Sequence, residues 1–268
     1  VLTAGLWRLF GDHIAYNESI QIFEQLILSG INHFDLGNNY GRRPGSAEFN
    51  FGRALGPIMH LRDELIISSK AGYEMMPGPN GSGSSLKHLK SQIEASLNRI
   101  NIKYLDIFYT HRFDPSCDLE VLANNLGYLY DKGYFLYVGI SSYPPEALLK
   151  LIKLLNQRKI PIAALQYNIS LLSLSNYNVC KECYLEWGIS TISFSPLNQG
   201  ILTDSYFLST KDNKSRSKEN RSTIHDKNKS LESGLKYLYE IAKSSSISIE
   251  MLAMSWLLSQ DFICSLAY

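Results

Sequence analysis

The chain has 268 residues, of which 45% are hydrophobic and 19% charged, with a formal net charge of +1; that length and make-up suit a globular protein built as one large barrel or two smaller domains. A balance so near neutrality carries no electrostatic footprint for nucleic acid or a membrane surface. No run of 18 or more uncharged apolar residues occurs and the opening VLTAGLWRLFGDH lacks a basic start, so the expectation is a cytosolic protein without signal peptide or membrane span.

In chain order, strand-like and helix-like runs alternate, the pattern of a parallel sheet built from βα units. VLTAG (1–5) reads as the first strand and HFDLG (33–37) as the second, which carries Asp35 into a buried run before the chain breaks into Gly37, Asn38, Asn39, Tyr40 and Gly41. ELIISSK (64–70) is the third. The loop after it, GYEMMPGPNGSGSS (72–85), is rich in Gly, Pro and Ser and is expected to form a mobile lip over the strand ends; its GSGSS lacks the G-x-G-x-x-G of a dinucleotide fingerprint. SLKHLKSQIEASLNRI (85–100) repeats Leu86, Leu89, Ile93, Leu97 and Ile100 along one face, as an outer helix does.

YLDIFYTH (104–111), FLYVGIS (135–141), AALQYN (163–168), ISTISFS (189–195) and FICSLAY (262–268) complete eight strands. PPEALLKLIKLLNQ (144–157) opens on prolines that a first helical turn tolerates. IEMLAMSWLLSQ (249–260) is more apolar and is expected to be the most buried helix. The polar segment 209–230 carries seven Lys or Arg against three Asp or Glu; it reads as solvated, with a share in binding an anionic cofactor as the alternative, since it follows the seventh strand. Eight parallel strands favour a single (β/α)8 TIM barrel over residues 1–268, with a doubly wound open sheet as the alternative.

The cysteines are Cys117, Cys180, Cys183 and Cys264, too few for a disulfide framework. Cys180 and Cys183 form a lone C-x-x-C, read as two thiols on one turn of a surface helix. No metal site is expected.

Barrel enzymes place their chemistry at the carboxyl ends of the strands. Those ends present Asp35, Lys70, His111, Ser141, Gln166, Phe194 and Ser195, spaced by about one βα unit each. A lysine ammonium beside Tyr40 favours the phenolate and is expected to lower the phenol pKa, while Asp35 keeps a buried Lys70 charged. His111 can hydrogen-bond a reacting oxygen. With no nucleophile elbow and no zinc-binding pair, an acid held over an oxygen suits reduction of a carbonyl by hydride from a cofactor. Ser141 and Gln166 can pair with a carboxamide, and Phe194 offers a flat face to a nicotinamide ring.

At these residues the sequence resembles the aldo-keto reductase superfamily. GINHFDLGNNYG, LIISSKAGY, YLDIFYTHRFDP, YVGISSY and FSPLNQGILT are similar to its successive strand-end motifs. NNYGRRPGSAE and KAGYEMMPGPNGSGSS are most similar to the branch of bacterial L-glyceraldehyde 3-phosphate (methylglyoxal) reductases and potassium-channel beta subunits.

The resemblance implies a (β/α)8 barrel, NADP(H) as cofactor, a small carbonyl substrate and a tetrad of Asp35, Tyr40, Lys70 and His111 with Tyr40 as acid. It also carries Trp7 to the cofactor and substrate mouth, and Asp35, Ser141, Gln166 and Phe194 to the cofactor. Ser195, Leu197 and Gln199 would line the pyrophosphate path, with backbone groups of that loop doing much of the binding, and Arg216 would meet a phosphate.

This sequence departs from the family where Ile169 and Ser170 replace Tyr-Asn, where Ser205 stands near an expected lysine, and where the chain stops at Tyr268 inside the eighth strand. A barrel without the closing segment is expected to leave its first and eighth strands poorly sealed, to expose apolar surface and to bind NADPH weakly. A cofactor-sensing regulatory subunit and an inactive truncated reductase are the alternative functions. A homo-oligomer is compatible with either.

Overall fold

The computed structural model describes residues 2–8, 10–208 and 229–268. Eight parallel strands close into a barrel in sequence order: β1 (Leu2–Gly5), β2 (His33–Asp35), β3 (Ile66–Ala71), β4 (Leu105–Thr110), β5 (Phe135–Ser141), β6 (Ile162–Asn168), β7 (Thr191–Phe194) and β8 (Ile263–Ala267). Closure excludes the doubly wound alternative. It also corrects the expectation of a poorly sealed seam, because β1 pairs with β8 in register, Leu2 opposite Leu266 and Thr3 opposite Ala267. The seam continues past the strands through Gly5 N–H to the Tyr268 carbonyl at 2.9 Å.

Around the barrel run α1 (Tyr16–Leu28), α2 (Ser46–Leu55), α3 (Leu86–Ile100), α4 (Leu119–Asp131), α5 (Pro145–Gln157), α6 (Tyr177–Trp187), the short α7 (Asp204–Leu208), α8 (Lys229–Ser244) and α9 (Ile249–Leu258). Local signals set their ends. The Ser85 hydroxyl accepts the His88 N–H at the start of α3, and Asn101 ends that helix in the left-handed conformation at φ 63°. Asp118 caps α4 and Ser248 caps α9 in the same way.

The main core lies between strands and helices. Phe10, Phe23, Phe34 and Phe51 pack there, with ring centroids of Phe23 and Phe34 5.1 Å apart. The buried carboxylate of Glu48 on α2 joins α3 through Arg99 at 2.7 Å and β3 through the Ser69 hydroxyl at 2.5 Å. Inside the barrel the chain is tight. Gly139 of β5 lies against the Tyr109 ring, and a Cβ added to it would come 2.2 Å from Tyr109 Cδ1.

Three expectations are corrected here. The helix 249–260 is not the most buried: α9 buries only the stripe Ile249, Ala253 and Leu257, while Met251 and Leu258 are exposed. Its apolar residues run all round, but only Ile249 and Ala253 are buried in the second core, with Leu197, Ile201, Leu202, Tyr206 and Leu235, and Leu257 in the main one. By contrast α3 buries seven of its positions, including the polar His88, Gln92 and Ser96.

The C-x-x-C thiols do sit on one turn of α6, but both are fully buried against the barrel. Loop 72–85 is tied down rather than free. Gly83 N–H bonds the Gly72 carbonyl at 3.1 Å, and the buried Ser84 is held by Asp114 and Asn125. Segment 209–228, with Arg216, lies outside the described residues.

Candidate active site

The site follows from strand alternation and register. Side chains two apart share a face, so His33 and Asp35 point inward from β2, and Ser68 and Lys70 from β3. Asp35 stands opposite Ser68 across the β2–β3 pair. Lys70, fully buried, then reaches three acceptors: Asp35 Oδ2 at 2.6 Å, the Leu36 carbonyl at 2.6 Å and the Tyr40 hydroxyl oxygen at 3.0 Å. An ammonium has three hydrogens, and all three are used. Because Lys70 donates to the phenol oxygen, the Tyr40 hydrogen is left to donate elsewhere.

Asp35 is equally committed, accepting from the Ser68 hydroxyl at 2.7 Å and from Gln166 Nε2 at 3.0 Å as well as from Lys70. Burial works against the Lys70 ammonium, yet Asp35 and Tyr40 outweigh it and hold its pKa above the usual lysine value. For Tyr40 the outcome corrects the sequence reading. Burial pushes the phenol up by more than the Lys70 charge pulls it down, and Asp35 and Tyr73 add to the rise. Tyr40 therefore keeps its proton through the neutral range, and the lysine limits the rise.

His111 follows β4, its backbone N–H bonded to the Ala71 carbonyl at 2.9 Å. Its ring stands edge-on to Tyr40 with centroids 5.8 Å apart. Burial, with help from Lys70 and Arg112, holds its pKa well below the usual histidine value, so the ring is neutral and can donate one N–H. The four tetrad residues named from the sequence are thus brought together.

Trp7, half exposed, completes the mouth with its ring 6.5 Å from that of Tyr40. Sequence reasoning missed two neighbours. Tyr73 meets His111 edge-on at 4.6 Å. Tyr109 is fully buried, its hydroxyl has no partner, and its ring centroid lies 5.6 Å from Lys70 Nζ. Tyr109 was findable, since it sits two residues before His111 on β4.

The residues assigned to a cofactor are placed as follows. Ser141 and Gln166 face each other across β5 and β6, and Phe194 is half-buried at the end of β7. Gln166 Nε2 donates one hydrogen to Asp35 at 3.0 Å, which fixes the orientation of the amide and turns its oxygen away from that carboxylate. Asn168 Oδ1, on the same strand, is buried without a partner, an acceptor the sequence reading did not name.

After β7 the backbone turns left-handed at Ser195 (φ 53°), Asn198 (φ 47°) and Gln199 (φ 59°). The Leu197 side chain packs into the second core, so that its backbone is what the loop can present to a ligand. The N–H groups of Asn198, Gly200 and Leu202 are spent within the loop. Among the described residues no helix is long and apolar enough to cross a membrane, and no group of three or more His, Cys, Asp or Glu is placed to hold a metal ion.

Residues 1–266 match the model of the aldo/keto reductase family. L-glyceraldehyde 3-phosphate reductase of Escherichia coli (strain K12) is 41% identical over 273 residues, covering 98% of this chain and 78% of the relative. A probable voltage-gated potassium channel subunit beta of Arabidopsis thaliana is 29% identical, covering 98% of this chain and 81% of the relative. The crystal structure of a thermostable aldo-keto reductase with the inhibitor epalrestat superposes with TM-score 0.74 at 21% identity, over 99% of this chain and 83% of the other, a likeness of fold. A closed eight-stranded barrel, a family model matched along the chain and a reductase at 41% identity lead to one assignment: this chain belongs to the aldo/keto reductase family of oxidoreductases.

Proposed function

We propose that the chain reduces a small aldehyde or ketone of the glyceraldehyde 3-phosphate or methylglyoxal type, with Tyr40 as general acid and NADP(H) as cofactor. The observation that carries this reading is the saturated Lys70 ammonium, which donates to the Tyr40 oxygen at 3.0 Å and leaves the phenol hydrogen for a substrate. When bound, a reduced nicotinamide supplies the hydride. Tyr40 gives its proton to the oxygen that gains charge, and Lys70 stabilises the phenolate left behind. Neutral His111 donates a hydrogen bond to the same oxygen and orients it. Asp35 holds the ammonium in place and keeps it charged.

The residues present fit the cofactor. Ser141, the Gln166 oxygen and the orphaned Asn168 oxygen supply a donor and acceptors for a carboxamide, and Phe194 gives a ring face. The choice of the 2′-phosphorylated form rests on the family resemblance. A phosphorylated substrate suits the mouth, where the Arg8 guanidinium lies 4.9 Å from the Trp7 ring centroid and that of Arg112 lies 4.7 Å from the Tyr73 centroid. These place positive charge on both flanks of an aromatic arc.

The test is NADPH oxidation with glyceraldehyde 3-phosphate and methylglyoxal by the wild type and Tyr40→Phe. Loss of the acid lowers kcat by about 10²–10⁴-fold. A Phe variant with wild-type turnover overturns the assignment of Tyr40.

A further inference from the structure

We infer that Ser68, His33 and Thr3 form a one-directional hydrogen-bond chain, reaching Ser265 at the β1–β8 seam, that positions the Asp35 carboxylate. This deepens the reading of Asp35, Lys70 and Tyr40 given above and rests on it for its catalytic consequence. The links are Asp35 Oδ1 to Ser68 Oγ at 2.7 Å, Ser68 Oγ to His33 Nε2 at 3.1 Å, His33 Nδ1 to Thr3 Oγ1 at 3.0 Å and Thr3 Oγ1 to Ser265 Oγ at 2.7 Å. All five residues are buried, and they come from four adjacent strands, β8, β1, β2 and β3.

The direction follows from donor and acceptor counting. An ionised carboxylate only accepts, so the Ser68 hydroxyl spends its single hydrogen on Asp35. Its other acceptor within reach, the Phe34 carbonyl, is at 3.5 Å, the limit of a hydrogen bond. Ser68 must then accept from His33, which requires the Nε2–H tautomer. His33 Nδ1 becomes an acceptor, so Thr3 donates to it, and Ser265 donates to Thr3. Burial holds the His33 pKa below the usual value against the pull of Asp35, which keeps the ring neutral, as this pattern requires.

A neutral histidine in water exchanges tautomers readily. Here the Asp35 carboxylate selects one of them through Ser68, and the Thr3 hydroxyl anchors the ring by donating to the nitrogen left bare. Without the Thr3 hydroxyl, Nδ1 has no partner, the ring is no longer anchored where Nε2–H meets Ser68, and the Ser68 hydroxyl can turn to the Phe34 carbonyl. Asp35 then loses a bond on Oδ1, and the carboxylate is freer to rotate away from Lys70. Ser68, His33 and Thr3 are positioning residues, since they touch the reacting groups only through Asp35.

The charged and titratable groups that bear on the outcome are few. Asp35, Lys70 and Asp106 act on His33. Asp35 and Tyr40 raise Lys70, which Tyr109 also faces and which itself lowers His111. A looser Asp35 lowers the Lys70 pKa, so the ammonium is lost at lower pH.

The experiment combines nitrogen NMR of the ¹⁵N-histidine-labelled chain, with His33 assigned through His33→Gln, and steady-state kinetics of Ser68→Ala, Thr3→Val and Thr3→Ser. In the wild type at neutral pH, His33 is expected as the neutral Nε2–H tautomer. Ser68→Ala shifts it toward Nδ1–H, because Thr3 is then the acceptor the ring can reach, whereas Thr3→Val and Thr3→Ser keep Nε2–H on Ser68. Ser68→Ala and Thr3→Val lower kcat roughly 10-fold, the loss expected for one hydrogen bond to a charged group, with little change in KM. The basic limb of their kcat profile moves to lower pH, and Thr3→Ser restores both.

An Nδ1–H or charged His33 in the wild type overturns the proposal, and this readout needs no variant to fold. Folded Ser68→Ala and Thr3→Val proteins that lose stability but keep the wild-type kcat and pH profile also overturn it. Wild-type turnover by Tyr40→Phe would refute the assigned acid while leaving the tautomer result standing, so the two failures are distinguishable.

Discussion

Replacing Asp35 by Asn tests the electrostatics on which the site depends. The carboxylate accepts from Lys70 at 2.6 Å, Ser68 at 2.7 Å and Gln166 at 3.0 Å. An Asn amide keeps one oxygen, so its NH2 faces either Lys70 and Gln166, which are donors, or Ser68, whose hydroxyl must turn round to accept; at least one of the three bonds cannot form as it stands. Lys70 also loses its counter-charge while remaining fully buried. Removing one partner of such a pair costs about 3–5 kcal/mol, because the remaining charge is left uncompensated. That is a large share of the roughly 5–15 kcal/mol of a typical domain, yet it leaves the variant measurable.

Urea unfolding of wild type and Asp35→Asn at neutral pH reads this difference directly. The sign with pH is fixed by the raised Lys70 pKa. Its contribution is fully present below the unfolded value of 10.5 and is lost as pH rises through the higher folded value, so the gap between the two proteins narrows in that range. A cost below about 1 kcal/mol at neutral pH would be no more than an exposed ion pair contributes, and would refute the coupling of ammonium to carboxylate.

Gly139→Ala forces a methyl to within 2.2 Å of the Tyr109 ring and should destabilise by about 1–3 kcal/mol in the same assay. A neutral effect would mean that the barrel interior yields easily. His33 and His111 are both held neutral with lowered pKa values, so stability is fully present above the unfolded value of 6.5 and falls as pH drops toward the folded values. Unfolding free energy should decline between neutral pH and about pH 5 by up to ~1.4 kcal/mol per unit for each group, and His111→Gln should reduce the slope. Burial pushes the Cys180 thiol up to about 12 and that of Cys183 up to about 11, so neither should be alkylated in the native protein, as peptide mass spectrometry can check. Rapid native labelling of both would place that face of α6 in solvent.

The alternation of apolar strands and helical repeats was legible because each is a local pattern, and it led to eight strands and to Asp35, Lys70 and His111 at their ends. What local patterns omit is the partner. IEMLAMSWLLSQ has apolar residues on every side, and only its contacts with the two cores show that the stripe Ile249, Ala253 and Leu257 is the part buried. FSPLNQG marks a loop by its proline and glycine, but not that the Leu197 side chain turns into a core.

The Tyr40 phenol shows the same limit in electrostatics. Lysine beside tyrosine was predictable, whereas the larger effect of burial depends on the packing of the whole mouth. His33 is the sharpest case. HFDLG places it on the face of Asp35, yet its meaning comes from Thr3 and Ser68, which meet it only through register. A slip of one residue between β2 and β3 would turn Ser68 and Lys70 outward, leave Asp35 inside without its ammonium, and abolish the site while keeping nearly every local preference satisfied. The register is held by the opposite face, where Phe34 and Ile67 are fully buried in the core and Ser69 is fixed by Glu48. The packing outside the barrel therefore sets the chemistry within it.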